Sequence, residues 1–170
     1  MLNSSANEEK CQLEKINKNT NNDTSEFLLE ELLDYLFETY YIYIKSIIQI
    51  QSIEIDGSND KASEIMSILS CNAHQKLVIF RKIASLNLAL TYYYDFNKNH
   101  NTESLFSSLD DIPLAFFERE TVLNELMLKI CRKATEESKY NLIDIFNSFI
   151  VTNVKNMQSD YSKIKNLCQP

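Results

Sequence analysis

The sequence predicts an all-α chain, a single antiparallel four-helix bundle with one long crossover connection and a disordered polar tail in front of it. Three observations carry that prediction. Apolar residues recur at three- and four-residue spacing over four long segments. One glycine and two prolines leave almost no material for hairpin turns or phosphate-cradling loops. A chain of 170 residues can bury roughly 70% of its unfolded surface around one core, so no second domain is needed.

Residues 1–23, MLNSSANEEKCQLEKINKNTNND, are rich in Asn, Ser, Lys and Glu and short of bulky apolar side chains, the composition of a tail that cannot repay its ordering entropy. The bundle domain is expected over 24–168. Asp23 with Glu26 three residues on reads as a capping-box variant opening a first helix over about 24–53. Leu29, Leu33, Leu36, Tyr40, Tyr43, Ile47 and Ile50 form its apolar stripe. A second strip through Leu28, Leu32, Phe37, Tyr41, Ile44 and Ile48 calls for a further packing partner, expected to be another subunit. EIDGSND, residues 54–60, holds the glycine and breaks the chain before a second helix over about 61–94. A polar connection follows, long enough to cross the end of a bundle. Pro113, behind Asp110 and Asp111, marks the start of a third helix that runs to about Glu137. SKYN makes the last turn. The fourth helix has the cleanest period, through Leu142, Ile145, Phe146, Phe149, Ile150, Val154, Met157, Tyr161, Ile164 and Leu167. Short connections within each pair of helices and a long one between the pairs are those of the ferritin-like arrangement.

The formal net charge of −7 and a sequence pI near 4.9 work against non-specific binding of nucleic acid or anionic membrane, which needs a dense basic surface. Cys11, Cys71, Cys131 and Cys168 stand far apart with no CxxC pair, so neither a zinc site nor a disulfide framework is signalled. Free thiols, a polar N-terminus without an apolar leader segment and the lack of any membrane-length apolar run lead to the expectation of a cytoplasmic protein.

YYIYIKSIIQ in the first helix, LVIFRKIASLN late in the second and ATEESKYNLIDIF across the last turn resemble the Dps branch of the ferritin superfamily, over roughly residues 27–166. The resemblance implies four-helix subunits that assemble into a dodecameric shell, with Fe(II) oxidised at sites between subunits and iron as the cargo. Such sites need carboxylate and imidazole donors with open positions for an oxidant. At the corresponding positions this chain has Ile50, Ala62, Met66, Leu77 and Arg81, none of which holds iron in that way. The resemblance therefore implies a shell-forming, iron-handling or stress-protection protein whose usual ferroxidase site is degenerate. The family's helix-turn glycine and aspartate are replaced by Ser138 and Lys139. The family's ferroxidase activity is not expected at these positions, which leaves an enzymatic role open only through a nonstandard centre.

Other residues carry candidate chemistry. His74 lies one turn after Cys71 and occupies the ExxH histidine position of diiron bundles, yet NVKNMQSD in the fourth helix holds no matching pair. A nonstandard metal centre would draw on Glu38, His74, and Glu118 or Glu125, against the blander reading of solvated acidic faces in an acidic chain. Glu54, Asp56, Asp60 and Glu64 could form a displaced cation site, although EIDGSND lacks the remaining spacing of an EF-hand loop. The tyrosines at 40, 41, 43 and 92–94 read as packing residues. Lys10, Lys15 and Lys18 resemble the lysine-bearing tails that some Dps-like proteins use on DNA, but Glu8, Glu9, Glu14 and Asp23 offset them. The alternative function, from another class, is a metal-free interaction module, a Bcl-2-like bundle that binds an amphipathic helix of a protein partner.

Overall fold

The computed structural model describes residues 24–52, 59–86 and 109–168. Within them lie four helices, α1 (Ser25–Ser52), α2 (Asn59–Ala84), α3 (Asp111–Glu136) and α4 (Tyr140–Cys168), and no strand. The expected tail 1–23, the segment around Gly57 and the connection 87–108 lie outside the described residues.

Each helix begins and ends for a local reason. Thr24 caps α1, its Oγ1 accepting the Phe27 N–H at 3.3 Å, and the expected cap Asp23 lies outside the described residues. The Ser25 N–H, orphaned at the helix start, donates to the Glu137 carboxylate at 3.0 Å. Glu26 pairs with Lys139 across the bundle. α2 is shorter than expected. Ser85 Oγ donates to the Lys82 carbonyl at 2.8 Å and the Leu86 N–H turns onto the Ile83 carbonyl at 3.0 Å, closing the helix in a tighter turn. Its continuation to residue 94 lies outside the described residues. α3 opens at Asp111 with Pro113 in its first turn, where the missing N–H costs nothing.

The α3–α4 turn is tighter than SKYN. The Lys139 N–H reaches the Ala134 carbonyl at 2.8 Å and the Ser138 N–H the Thr135 carbonyl at 3.2 Å, the paired bonds of a Schellman ending. Ser138 takes the left-handed conformation this requires, with φ 58°. A glycine would adopt it without a Cβ penalty.

α1 packs chiefly on α2 and α3 chiefly on α4, while thinner contacts of α1 with α3 and of α2 with α4 close the ring. The apolar strips of α1 meet two neighbours within the same chain at their start, while Tyr41 and Ile44 of the second strip are only half-buried. Leu28, Leu29, Leu32, Leu33 and Leu36 are all buried, whereas Ile48 is 61% exposed. α1 runs against α2: Leu28 to Leu36 share one core cluster with Ile79 and Ile83, and Ile50 shares the other with Ala62 and Ile65, with Phe37 meeting Phe80 edge-on between them. It also runs against α3, from Ser25 beside Glu137 to Tyr43 stacked on Phe116.

The core falls into two apolar clusters. One surrounds Leu32, Ile83, Met127, Ile130 and Phe146, the other Ile50, Ile65, Leu69, Phe116 and Ile164. A polar layer lies between them. No described helix is long and apolar enough to cross a membrane.

Candidate functional site

The polar layer is built from all four helices. Lys76 of α2 and Glu120 of α3 each fall on the inward stripe of their helix. Ile65, Leu69, Ala73, Ile79 and Ile83 share the stripe of Lys76, and Ile112, Phe116, Leu123 and Met127 that of Glu120; all are buried. Both charged side chains are sealed from solvent, at 0% and 1% exposure.

Glu120 is the hub. The Lys76 ammonium donates to Oε2 at 2.6 Å, the Tyr43 hydroxyl of α1 donates to Oε1 at 2.5 Å, and the Asn153 amide of α4 donates to Oε2 at 2.9 Å. Asn153 returns its carbonyl to Lys76 at 3.2 Å and gives its amide also to Asn124 at 3.2 Å. Asn124 ends the chain of bonds on the Met157 sulfur at 3.9 Å. Burial, and then the Glu120 charge, push the Tyr43 hydroxyl well above its ordinary range, so it stays a donor. Taking two charges out of water costs several kcal/mol each unless geometry and further hydrogen bonds compensate. Here the carboxylate has three donors. One buried polar atom near this level, Thr39 Oγ1, has no hydrogen-bond partner among the described residues.

Two smaller polar clusters sit nearer the surface. At the end where α1 starts, the Glu137 carboxylate accepts from Ser25 Oγ at 2.5 Å and pairs with Lys139 at 2.9 Å. Burial acts against ionisation there, but the bonds from Lys139 and Ser25 outweigh it and hold the Glu137 carboxyl at about 2. Lys139 is raised in turn: burial opposes its charge, and the bonds to Glu137 and Glu26 prevail. Between α1 and α3, Arg119 lies 5.4 Å over the Tyr35 ring and 3.1 Å from Glu38, beside a hollow of about 500 Å³.

The residues that sequence spacing marks out do not converge. Glu38 and Glu118 flank that hollow, with Glu38 engaged by Arg119. Glu125 lines a different one with Lys129 and Arg132, and His74 and Cys71 are exposed on α2. Asp60 and Glu64 are exposed, and Glu54 and Asp56 lie outside the described residues, as do His100, Lys10, Lys15 and Lys18. Among the described residues no three His, Cys, Asp or Glu side chains form a group that could hold a metal ion. Of the positions that match the family's ligands, Ile50 and Ala62 are core residues, Met66 and Leu77 are half-buried, and Arg81 is exposed.

The bundle centre does not fit iron either. Its donors are one carboxylate, a phenol and two carboxamides, arranged around an ammonium that occupies the carboxylate and repels a cation. Nor is the layer a catalytic constellation, since Lys76 and Glu120 are closed to solvent and spent on each other. Its chemistry is that of a structural clasp between the α1–α2 and α3–α4 pairs. The residues of the layer other than Tyr43 are absent from the sequence-based candidates, although each is a polar residue on an apolar stripe. Set against models of known families, curated proteins and solved structures, the chain matches none of them.

Proposed function

We propose that this chain is a bundle of the ferritin-like arrangement, with a long crossover between α2 and α3, and that its role is structural, as a subunit of a self-assembling Dps-like shell that does not oxidise iron at its centre. The direction of the helices supports the arrangement. α1 runs against both α2 and α3, so α2 and α3 point the same way, an order that calls for a connection long enough to span the bundle. A helix the length of α3 covers about 39 Å at ~1.5 Å per residue, and the link reaches ~75 Å when extended.

The loss of the family's site between subunits rests on Ile50, Ala62, Met66, Leu77 and Arg81 at the ligand positions. The Lys76–Glu120 pair supports the same reading for the bundle centre, where it sets an ammonium against the carboxylate that a diiron bundle would give to metal. Assembly is favoured by the outer side of α3, where Leu114 and Leu128 are 59% and 44% exposed and Phe117 and Val122 also reach solvent.

Light scattering on the purified chain, with iron measured on the same peak, tests the proposal. A closed particle of about a dozen subunits with no stoichiometric iron is expected. A monomer would refute the shell, and two tightly held irons per chain would refute the metal-free centre.

A further inference from the structure

The thinnest seam of the bundle, between α2 and α4, is open along its outer side. Two adjoining hollows of about 690 and 230 Å³ share Val78, Ser148 and Phe149 and run from Gln75 to Ser85 on α2. Ten residues of helix make a trough ~15 Å long, close to three turns. Its floor is apolar: Ile79 is buried, Ile145 and Phe149 are half-buried, and Val78 is 46% exposed. Its rim is charged asymmetrically. Arg81 and Lys82 are exposed on the α2 side, without an ion pair among the described residues, and Asp144 stands on the α4 side.

We propose that this trough is a docking site for an amphipathic helix of a partner protein, with apolar residues at i, i+4 and i+7 on the floor and carboxylates along the flank that meets Arg81 and Lys82. Charge complementarity selects that occupant. In a chain of net charge −7, a pair of unneutralised cations beside exposed apolar surface attracts an acidic helix and orients it. This chain's own α1, with Glu30, Glu31 and Asp34, offers the charge, but its exposed apolar residues Phe27 and Ile48 stand ~31 Å apart at ~1.5 Å per residue, too far to share the trough, and the apolar face of α3 is the one given to shell assembly, so a second copy is the poorer fit. The site is independent of shell assembly, because it needs only one chain.

The test is a fluorescence-anisotropy titration of the full chain with a labelled synthetic helix of about four turns, leucines at i, i+4 and i+7 and glutamates on one flank. A control helix carries lysines in place of the glutamates. Saturable binding of the acidic helix is expected, at least ~10-fold tighter than the control. Val78→Asp, at an exposed position, should weaken it by a similar factor, and Arg81→Glu with Lys82→Glu should reverse the preference toward the lysine helix. Equal binding of both helices, or none, overturns the proposal. Wild-type dimers that Val78→Asp dissociates would instead assign the trough to a second copy. A fall of several degrees in the melting temperature of the isolated Val78→Asp chain would assign it to a segment of the same chain. Either result overturns the proposal while leaving the particle mass to judge the shell.

Discussion

Replacing Lys76 by Met removes the ammonium and keeps much of the side-chain volume, which isolates the charge. The Glu120 carboxylate, 1% exposed, would then keep only Tyr43 and Asn153 as donors. Breaking one partner of a buried pair costs about 3–5 kcal/mol, roughly a fifth or more of the stability of a typical domain at ~5–15 kcal/mol. Removing both charges, with Lys76→Met and Glu120→Met together, should recover most of that loss. Part of the remainder comes from the Tyr43 hydroxyl, which loses its acceptor in a position only 2% exposed, at about 1–3 kcal/mol, and part from the buried Asn153 carbonyl, which loses the Lys76 ammonium. Adding Tyr43→Phe should recover the hydroxyl's share and leave the triple variant short of the parent by the cost of Asn153 alone, about 1–3 kcal/mol. Urea unfolding followed by circular dichroism measures all three, with an unchanged slope as the check that the unfolding reaction is the same. A single variant that loses under ~1 kcal/mol, or a double variant as damaged as the sum of its singles, would refute the account of the layer as a mutually satisfied buried pair.

Ser138→Gly should stabilise the chain by about 0.5–1 kcal/mol, since φ 58° carries a Cβ penalty that glycine escapes at some entropic cost; thermal melting should rise by ~2 °C, and a fall would count against the Schellman geometry. Glu137 has its folded value at about 2 against 4.5 for the free carboxyl, so its contribution is complete above pH 4.5 and disappears as pH falls toward 2. With the side chain 22% exposed, screening reduces the effect to about 1–2 kcal/mol, and Glu137→Gln should flatten the acid limb of stability against pH. Lys139 is raised, so its share is present at neutral pH and is lost at the alkaline end. Anaerobic addition of Fe(II) in excess should leave the melting temperature within ~1 °C, because no described donor group rewards the folded state for binding it; a rise of ~5 °C would reveal a site.

The helices were legible because their periods are long and uninterrupted. α4 keeps its stripe from Leu142 to Ile164 with the expected residues inward, and α1 likewise from Leu29 to Ile50. The two-sided character of α1 was legible too, but not its cause: spacing says that two faces are apolar, not that both partners lie within one chain. The expected run of α2 to residue 94 rests on an apolar pattern that continues past Ala84, whereas Ser85 and Leu86 redirect the hydrogen bonds there, and residues 87–94 lie outside the described residues. The site was harder. Glu38, His74, Glu118 and Glu125 stand out by charge and spacing, but such spacing most often describes a solvated face, and all four are exposed. Lys76, Glu120 and Asn153 occupy stripe positions among isoleucines, leucines and phenylalanines. A long charged side chain there is ordinarily one whose head escapes to water, and only the meeting of an opposite charge from another helix makes full burial tolerable. That meeting depends on how the helices are paired in space, which periodicity along one helix does not contain.

The layer between the two apolar clusters also settles a question that leucine and isoleucine leave open. Apolar ridges repeat every turn, so helices packed by them alone can slide past one another and find nearly equivalent seats. Here a slide of α3 by one turn, about 5.4 Å, would carry the Glu120 carboxylate into an apolar cluster and leave Lys76 opposite Phe116 or Asn124. The buried ion pair thereby penalises every other axial alignment of the two helical pairs, and with it every other choice of which outer faces of the bundle stand level with each other.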